Sequence, residues 1–90
     1  MARVIVTAQV EDPVAWEAGF RTHGDLFRSQ TASKMEFAIN GNDVAVCVEP
    51  ADLATFMEGL ESPATAEAMA FDGVKRETVK IYVVDKVFEL

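Results

Sequence analysis

A chain of 90 residues with a formal net charge of −7 is long enough for one domain with a modest hydrophobic core. An acidic surface repels phosphate groups, so we expect neither nucleic acid nor an anionic membrane as a partner. Half of the residues are hydrophobic, yet no apolar run approaches the roughly 20 residues that a membrane-spanning helix needs.

The cysteine content and the first residues indicate a compartment. Cys47 is the only cysteine, which excludes an intrachain disulfide and a cysteine-based zinc site. The segment Met1 to Arg3 leads directly into an apolar stretch and lacks the pattern of a signal peptide. Both features are typical of a protein of the reducing cytoplasm, and that is the location we expect.

The first two predicted elements are a strand and a helix. Residues Arg3 to Val10 are largely apolar and predict the strand. Asp12 is a good N-cap and Pro13 suits the first helical position, so a helix is expected from there to about Gln30. At about 100° per residue, one stripe of this helix carries four ring-bearing side chains, Trp16, Phe20, His23 and Phe27. We expect this stripe to face a sheet.

A hairpin, a second helical region and a last strand follow. Two short strands of alternating pattern flank Asn40-Gly41, a pair that tolerates positive φ and favours a tight turn. The second helical region is expected from about Asp52 to Phe71, with a new helix starting at Ser62-Pro63. The last strand is expected from about Thr78 to Val84. The apolar tail after it is expected to pack on another surface, such as a second subunit.

The element order is strand, helix, strand, strand, helix, strand, which is the ferredoxin-like split βαβ arrangement. It predicts an α+β fold with a four-stranded antiparallel sheet, the first and third strands in the centre and the helices on one face. The other face then carries a mixture of small, polar and apolar side chains, namely Ile5, Thr7, Gln9, Ala45, Cys47 and Glu49. Such a face is either a dimer interface or a solvated sheet. The apolar content of the first strand favours the interface, so we expect a second copy of the chain, hence a homodimer.

Two stretches of the chain resemble the dimeric α+β barrel superfamily, which includes antibiotic-biosynthesis-monooxygenase-like proteins. One is the first-helix spacing Trp16-x3-Phe20-x2-His23-x3-Phe27, and the other is the run from Ser62-Pro63 to Gly73-Val74. The resemblance implies two sheets paired face to face in one 1–90 barrel domain, with a cleft between sheet and helices in each subunit. It also implies a range of functions: cofactor-independent oxygenases, isomerases, cyclases, haem proteins and proteins without known activity.

The candidate catalytic residue is His23, the only histidine and the only side chain that ordinarily titrates near neutral pH. Beside a cleft it can take a proton from an acidic carbon or a phenol. The alternative is a core histidine hydrogen-bonded to a backbone carbonyl, to Gln9 or to Tyr82. Trp16 and Phe20 are candidate walls of a substrate pocket, although a stripe of aromatic residues is also ordinary core. Gln9 and Tyr82 are further candidates for substrate binding, and packing at an interface is the alternative for Tyr82.

Two functions from different classes therefore remain. The first is a small dimeric barrel that binds a hydrophobic, aromatic or polyketide-like molecule, for which the resemblance implies an oxygenase, isomerase or cyclase without a cofactor. The second is a non-catalytic dimeric module with a filled core. No metal site is expected, although a single axial haem ligand at His23 stays open. A cleft of several hundred Å³ beside His23 would favour ligand binding, and a packed interior would favour the module.

Overall fold

The computed structural model describes residues 3–90, so Met1 and Ala2 of the expected domain lie outside the described residues. Its elements occur in the predicted order: β1 (Val4–Val10), α1 (Pro13–Phe20), α2 (Gly24–Ser29), β2 (Met35–Asn40), β3 (Asp43–Val48), α3 (Leu53–Leu60), α4 (Pro63–Phe71) and β4 (Val74–Val83). A 3-10 turn, Arg21–His23, joins α1 to α2. Within residues 3–90, no helix has the length and apolar character needed to cross a membrane.

The four strands form one antiparallel sheet in the order β2-β3-β1-β4. The first and third strands are central, as predicted, and the ferredoxin-like α+β fold is confirmed. Alternate side chains of a strand point to opposite faces. On β1 and β3, one face therefore carries the buried side chains Val4, Val10, Val44, Val46 and Val48.

The helices cover that apolar face and complete the core. Phe56 of α3 packs with Val4 and Val48, while Trp16 of α1 packs with Val10 and Val44. Local signals fix where the helices start. The carboxylate of Asp12 accepts from the Val14 and Ala15 N–H groups, that of Asp52 accepts from Thr55 N–H, and the Ser62 hydroxyl accepts from Thr65 N–H.

The first helical region differs from the single helix predicted to about Gln30. The structure divides it at the 3-10 turn, so α1 ends at Phe20 and α2 begins at Gly24. Glycine is a weak helix former, and the Thr22 hydroxyl donates to the Gly19 carbonyl at 2.6 Å. The division places His23 at the joint between the two helices.

The last strand begins at Val74, four residues before the predicted start at Thr78. Its pairing with β1 shifts register between Thr7, which faces Lys80, and Gln9, which faces Lys75. Within this bulge the Thr78 hydroxyl accepts a hydrogen bond from the Gln9 N–H at 2.8 Å. The bulge interrupts the alternation of side chains at the start of β4. The sequence of this polar run therefore does not predict a strand.

The C-terminal tail adds no regular element. The Val84 N–H donates to the Arg3 carbonyl at 2.8 Å, which extends the contact with the start of β1. Beyond that point Val87, Phe88 and Leu90 are exposed. Within one chain the tail therefore does not pack on another surface, and its packing on a second subunit stays a prediction.

Candidate functional site

A cavity of about 80 Å³ lies between the helix-covered face of the sheet and the helices. Most of its lining is apolar and includes Val6, Val46, Trp16, Phe20, Phe27 and Phe56. Four polar side chains also line it, those of His23, Gln30, Thr65 and Asp72. The cavity lies where the cleft was expected, but it is smaller than the roughly 300–1,000 Å³ of typical ligand pockets.

His23 and Asp72 form a hydrogen-bonded pair at the wall of this cavity. The Nε2 atom of His23 is 3.2 Å from each carboxylate oxygen of Asp72. The Asp72 side chain is only 5% exposed and that of His23 is 20% exposed. His23 ends the 3-10 turn and Asp72 immediately follows α4, so the pair joins the first helical region to the second at the wall of the cavity.

Gly19 makes room for the pair. A Cβ atom at this position would lie 2.1 Å from Oδ1 of Asp72, well inside van der Waals contact. The Asp72 carboxylate therefore packs directly on the backbone of α1, one helical turn before His23. No other residue at position 19 allows this close approach without a shift of Asp72.

The electrostatics of the pair determine which nitrogen of His23 is available. Burial raises the pKa of the Asp72 carboxyl above its ordinary value, while the hydrogen bond and charge of His23 act in the opposite direction. An ionised carboxylate only accepts hydrogen bonds, so a neutral imidazole beside it carries its proton on Nε2 and keeps the lone pair on Nδ1. In catalytic triads an aspartate orients a histidine base through a hydrogen bond of the same kind, made there by the other ring nitrogen.

The structure brings three of the five predicted site residues together. His23, Trp16 and Phe20 all line the cavity, with the rings of Trp16 and Phe20 at a centroid distance of 5.2 Å. Trp16 is also buried core, so packing and pocket wall are compatible roles for it. These positions agree with the predicted stripe of the first helical region.

Gln9 and Tyr82 are not brought to the cavity. Both are exposed on the opposite, open face of the sheet, where Tyr82 pairs with Ile5 of β1. The alternation of side chains along a strand explains this, because Ala8 and Val10 point to the helices and Gln9 does not. The partner of His23 is accordingly Asp72, and not Gln9 or Tyr82. Any role of these two residues in substrate binding stays a prediction.

Cys47 also lies on the open face. Its sulfur accepts a hydrogen bond from the Arg3 guanidinium at 3.0 Å, and the thiol is half-buried. Among residues 3–90, no cluster of three or more histidine, cysteine, aspartate or glutamate side chains is arranged to hold a metal ion. A porphyrin is far larger than this cavity, which therefore does not fit a haem.

Three polar residues of the cavity were not predicted as site residues. The sequence marks Gln30 only as the approximate end of a helix and assigns no role to Asp72 or Thr65. Asp72 is 49 positions from His23, and Gln30 is 35 positions from Thr65. An aspartate between a helix and a strand is a weak signal, and no local spacing reveals which distant residue it meets.

Solved structures share the fold of this chain. An antibiotic biosynthesis monooxygenase-like protein of Bordetella bronchiseptica superposes with a TM-score of 0.74 at 14% identity, over 97% of each chain. SnoaB, a cofactor-independent oxygenase from Streptomyces nogalater, has a TM-score of 0.70 at 14% identity, over 99% of this chain and 95% of its own. At3g17210 from Arabidopsis thaliana has a TM-score of 0.68 at 10% identity, over 100% and 99% of the two chains.

The chain has the fold of the antibiotic biosynthesis monooxygenases. At identities of 10–14% the likeness establishes this monooxygenase-like fold and leaves the reaction open, because one fold hosts many functions. No protein-family model matches the sequence, and no curated protein matches it. The function must therefore be argued from the site.

Proposed function

We propose that this protein binds a hydrophobic small molecule in the cavity and acts on it by acid/base chemistry that needs no cofactor, with His23 as the general base. The observation that carries the proposal is the His23–Asp72 pair at the wall of an otherwise apolar cavity. Oxygenation, isomerisation and cyclisation of activated aromatic or polyketide-like molecules share one first step, the removal of a proton from an acidic carbon or a phenol.

The geometry suits that step. With Nε2–H donating to Asp72, the lone pair of Nδ1 is free to accept the proton of the substrate, and the Asp72 carboxylate stabilises the imidazolium that forms. The same imidazolium can return its proton to the product. SnoaB supports the proposal, because a cofactor-independent oxygenase is built on this fold.

The size of the cavity limits which ligands can enter it. A volume of about 80 Å³ is too small for an aromatic polyketide, so a ligand of that size enters only if the helices move away from the sheet. The helical layer is discontinuous at the 3-10 turn next to His23. Phe71, which is exposed, lies beside the same ring at a centroid distance of 6.1 Å. We propose that an opening for substrate lies at this joint.

The second candidate is a non-catalytic dimeric module, and the small cavity favours it. The rings of Trp16, Phe20 and Phe37 pack at centroid distances of 5.2–5.8 Å, as in an ordinary aromatic core. In that case the His23–Asp72 pair has a purely structural role. Both candidates share the proposed homodimeric barrel and differ in what His23 does.

Substitution of His23 by glutamine separates the two candidates. Glutamine can still donate to Asp72 but cannot act as a base near neutral pH. The probe is anthrone, whose acidic methylene reacts with dioxygen to give anthraquinone and water. The rate of this reaction is measured by oxygen uptake and by the absorbance of anthraquinone. We expect His23→Gln to lower this rate by a factor of about 10²–10⁴, as for removal of a general base, with a stability change below about 1 kcal/mol.

Arg21→Ala is the matched control, because Arg21 precedes His23 by two positions and its side chain is exposed. It should leave the rate unchanged. The module is favoured if wild-type protein neither oxidises anthrone nor shows a shift of the His23 ring signals in NMR on its addition. It is also favoured if His23→Gln loses about 1–3 kcal/mol of stability, the cost of a disrupted buried hydrogen bond.

A further inference from the structure

The cavity has a second polar end at Gln30, a residue that the proposed acid/base step does not use. Gln30 is 3% exposed and lines the cavity together with Thr65. Its Nε2 donates to the Thr65 hydroxyl at 2.7 Å. Its Oε1 is buried and accepts no hydrogen bond from any of the described residues.

The orientation of the amide follows from its neighbours. The hydroxyl of Thr65 donates to the Gly59 carbonyl at 2.6 Å, which leaves it free to accept from Gln30. Reversing the amide would take the Thr65 proton away from Gly59 and lose one hydrogen bond. The amide nitrogen therefore faces Thr65, and Oε1 is the atom without a partner.

Gly59 holds this side chain in place from the other side. A Cβ atom at position 59 would lie 2.4 Å from Cγ of Gln30, so only glycine lets the glutamine lie against α3. A buried glutamine that is positioned by a glycine and a threonine, and still lacks a donor, is unusual. Buried acceptors in native proteins nearly always have a partner, because an unmade hydrogen bond costs stability.

We propose that Gln30 is the specificity-determining residue of this cavity and that its Oε1 accepts a hydrogen bond from a hydroxyl group of the ligand. The site would then select phenolic molecules over the same rings without a hydroxyl. This inference rests on the proposed function, since it names the substrate class of the same cavity. His23 and Gln30 are seven positions apart, so they lie on one side of the helical region, about 10 Å apart along its axis at 1.5 Å per residue.

The chemistry of the lining favours a neutral hydroxyl over other donors. A charged ammonium would be buried among apolar side chains at a large cost. A ligand carboxylate has no proton to donate near neutral pH and would share the cavity with the Asp72 carboxylate. A phenol brings an apolar ring for the aromatic walls and one donor for Oε1. A water molecule satisfies the same acceptor, and this is the alternative that an experiment must exclude.

Phenol and benzene are the probes, because they differ only in the hydroxyl and are small enough for a compact cavity. Dissociation constants come from NMR titration and from the fluorescence of Trp16, the only tryptophan, which lines the cavity. We expect wild-type protein to bind phenol at least about tenfold more tightly than benzene, the effect of one hydrogen bond to a buried acceptor. In Gln30→Met the two affinities should agree within about threefold.

A control variant and a crystal structure make the result specific. Arg21→Ala, whose side chain is exposed and lies outside the cavity, should keep the preference for phenol. Because the titration measures binding and not turnover, a failure of the acid/base proposal is distinguishable from a failure of this one. A crystal structure of the phenol complex should place the phenol hydroxyl within hydrogen-bond distance of Oε1 of Gln30. The inference is overturned if neither probe binds, if Gln30→Met keeps the preference, or if a water molecule and not the phenol hydroxyl lies beside Oε1.

Discussion

At the scale of single residues, the site depends on two glycines that allow polar side chains to pack against helix backbone. Gly19 admits the Asp72 carboxylate beside α1, and Gly59 admits Gln30 beside α3. In both cases a methyl group would occupy the space of a side chain that lines the cavity. The glycines thus position the polar groups without touching any ligand themselves.

Gly19→Ala tests this packing. The new methyl group would lie 2.1 Å from Oδ1 of Asp72, so the carboxylate must move and the hydrogen bond to His23 is lost. We expect a destabilisation of about 1–3 kcal/mol, as for overpacking elsewhere, measured by urea unfolding with Trp16 fluorescence. The NMR signals of the His23 ring should shift at the same time.

Gly24→Ala is the matched control, because a Cβ there meets only the flexible end of Arg28, at 3.2 Å. The gain in helix propensity over glycine is about 1 kcal/mol, so this variant should be as stable as wild type or slightly more stable. Equal stability of the Gly19 and Gly24 variants, with unchanged His23 signals, would contradict the close packing of Asp72 on α1.

The residues of the site were predictable from sequence only where a local pattern marks them. Helical spacing placed Trp16, Phe20 and His23 on one stripe, and the structure brings all three to the cavity. Asp72 and Gln30 reach it through contacts that span 49 and 35 positions. Periodicity within one element carries no information about such contacts, which is why the partner of His23 was not predicted.

At the scale of elements, the helix starts at Asp12-Pro13 and Ser62-Pro63 were predicted, but the start of β4 was not. Asp12-Pro13 and Ser62-Pro63 start helices through hydrogen bonds within a few residues, so the sequence alone specifies them. The start of β4 depends instead on pairing with β1 across a bulge, where the Thr78 hydroxyl replaces a backbone acceptor. The order of elements was therefore predictable, but this boundary was not.

The assignment of helix faces makes a stability prediction. Phe56 is 1% exposed in the centre of one core cluster, so Phe56→Ala should cost about 3–5 kcal/mol. Phe27→Ala should cost less, because this ring is only partly buried and borders the cavity. Urea unfolding provides the measurement, with the exposed Arg21→Ala as the control expected to change stability by a few tenths of a kcal/mol. A similar loss at all three positions would mean that the faces are misassigned.

At the scale of the whole molecule, one face of the sheet remains without helices. It carries a broad, shallow groove lined in part by Thr7, Gln9, Ala38 and Ala45. Tyr82 is half exposed on the same face, and Val87 and Phe88 of the tail are exposed as well. Exposed apolar surface of this extent is typical of an interaction site rather than of a solvated sheet. A second copy of the chain would cover the groove with an identical surface, as in a two-fold dimer.

We therefore predict a homodimer that forms through the open face. Analytical ultracentrifugation at micromolar concentration should give about twice the monomer mass of 9.8 kDa. Ala45→Arg places a large charged side chain on a central strand, between Thr7 and Ala38. It should yield monomers, because burying that charge at the interface is costly.

Val14→Arg is the control for the dimer. Val14 is 80% exposed on α1, which lies on the helical side of the sheet. An arginine there changes the net charge by the same amount without reaching the predicted interface, so this variant should remain dimeric. Two chains of net charge −7 repel each other, and added salt should therefore tighten the dimer. A wild-type monomer at all salt concentrations, or equal dissociation of both variants, would show that the open face is not the interface.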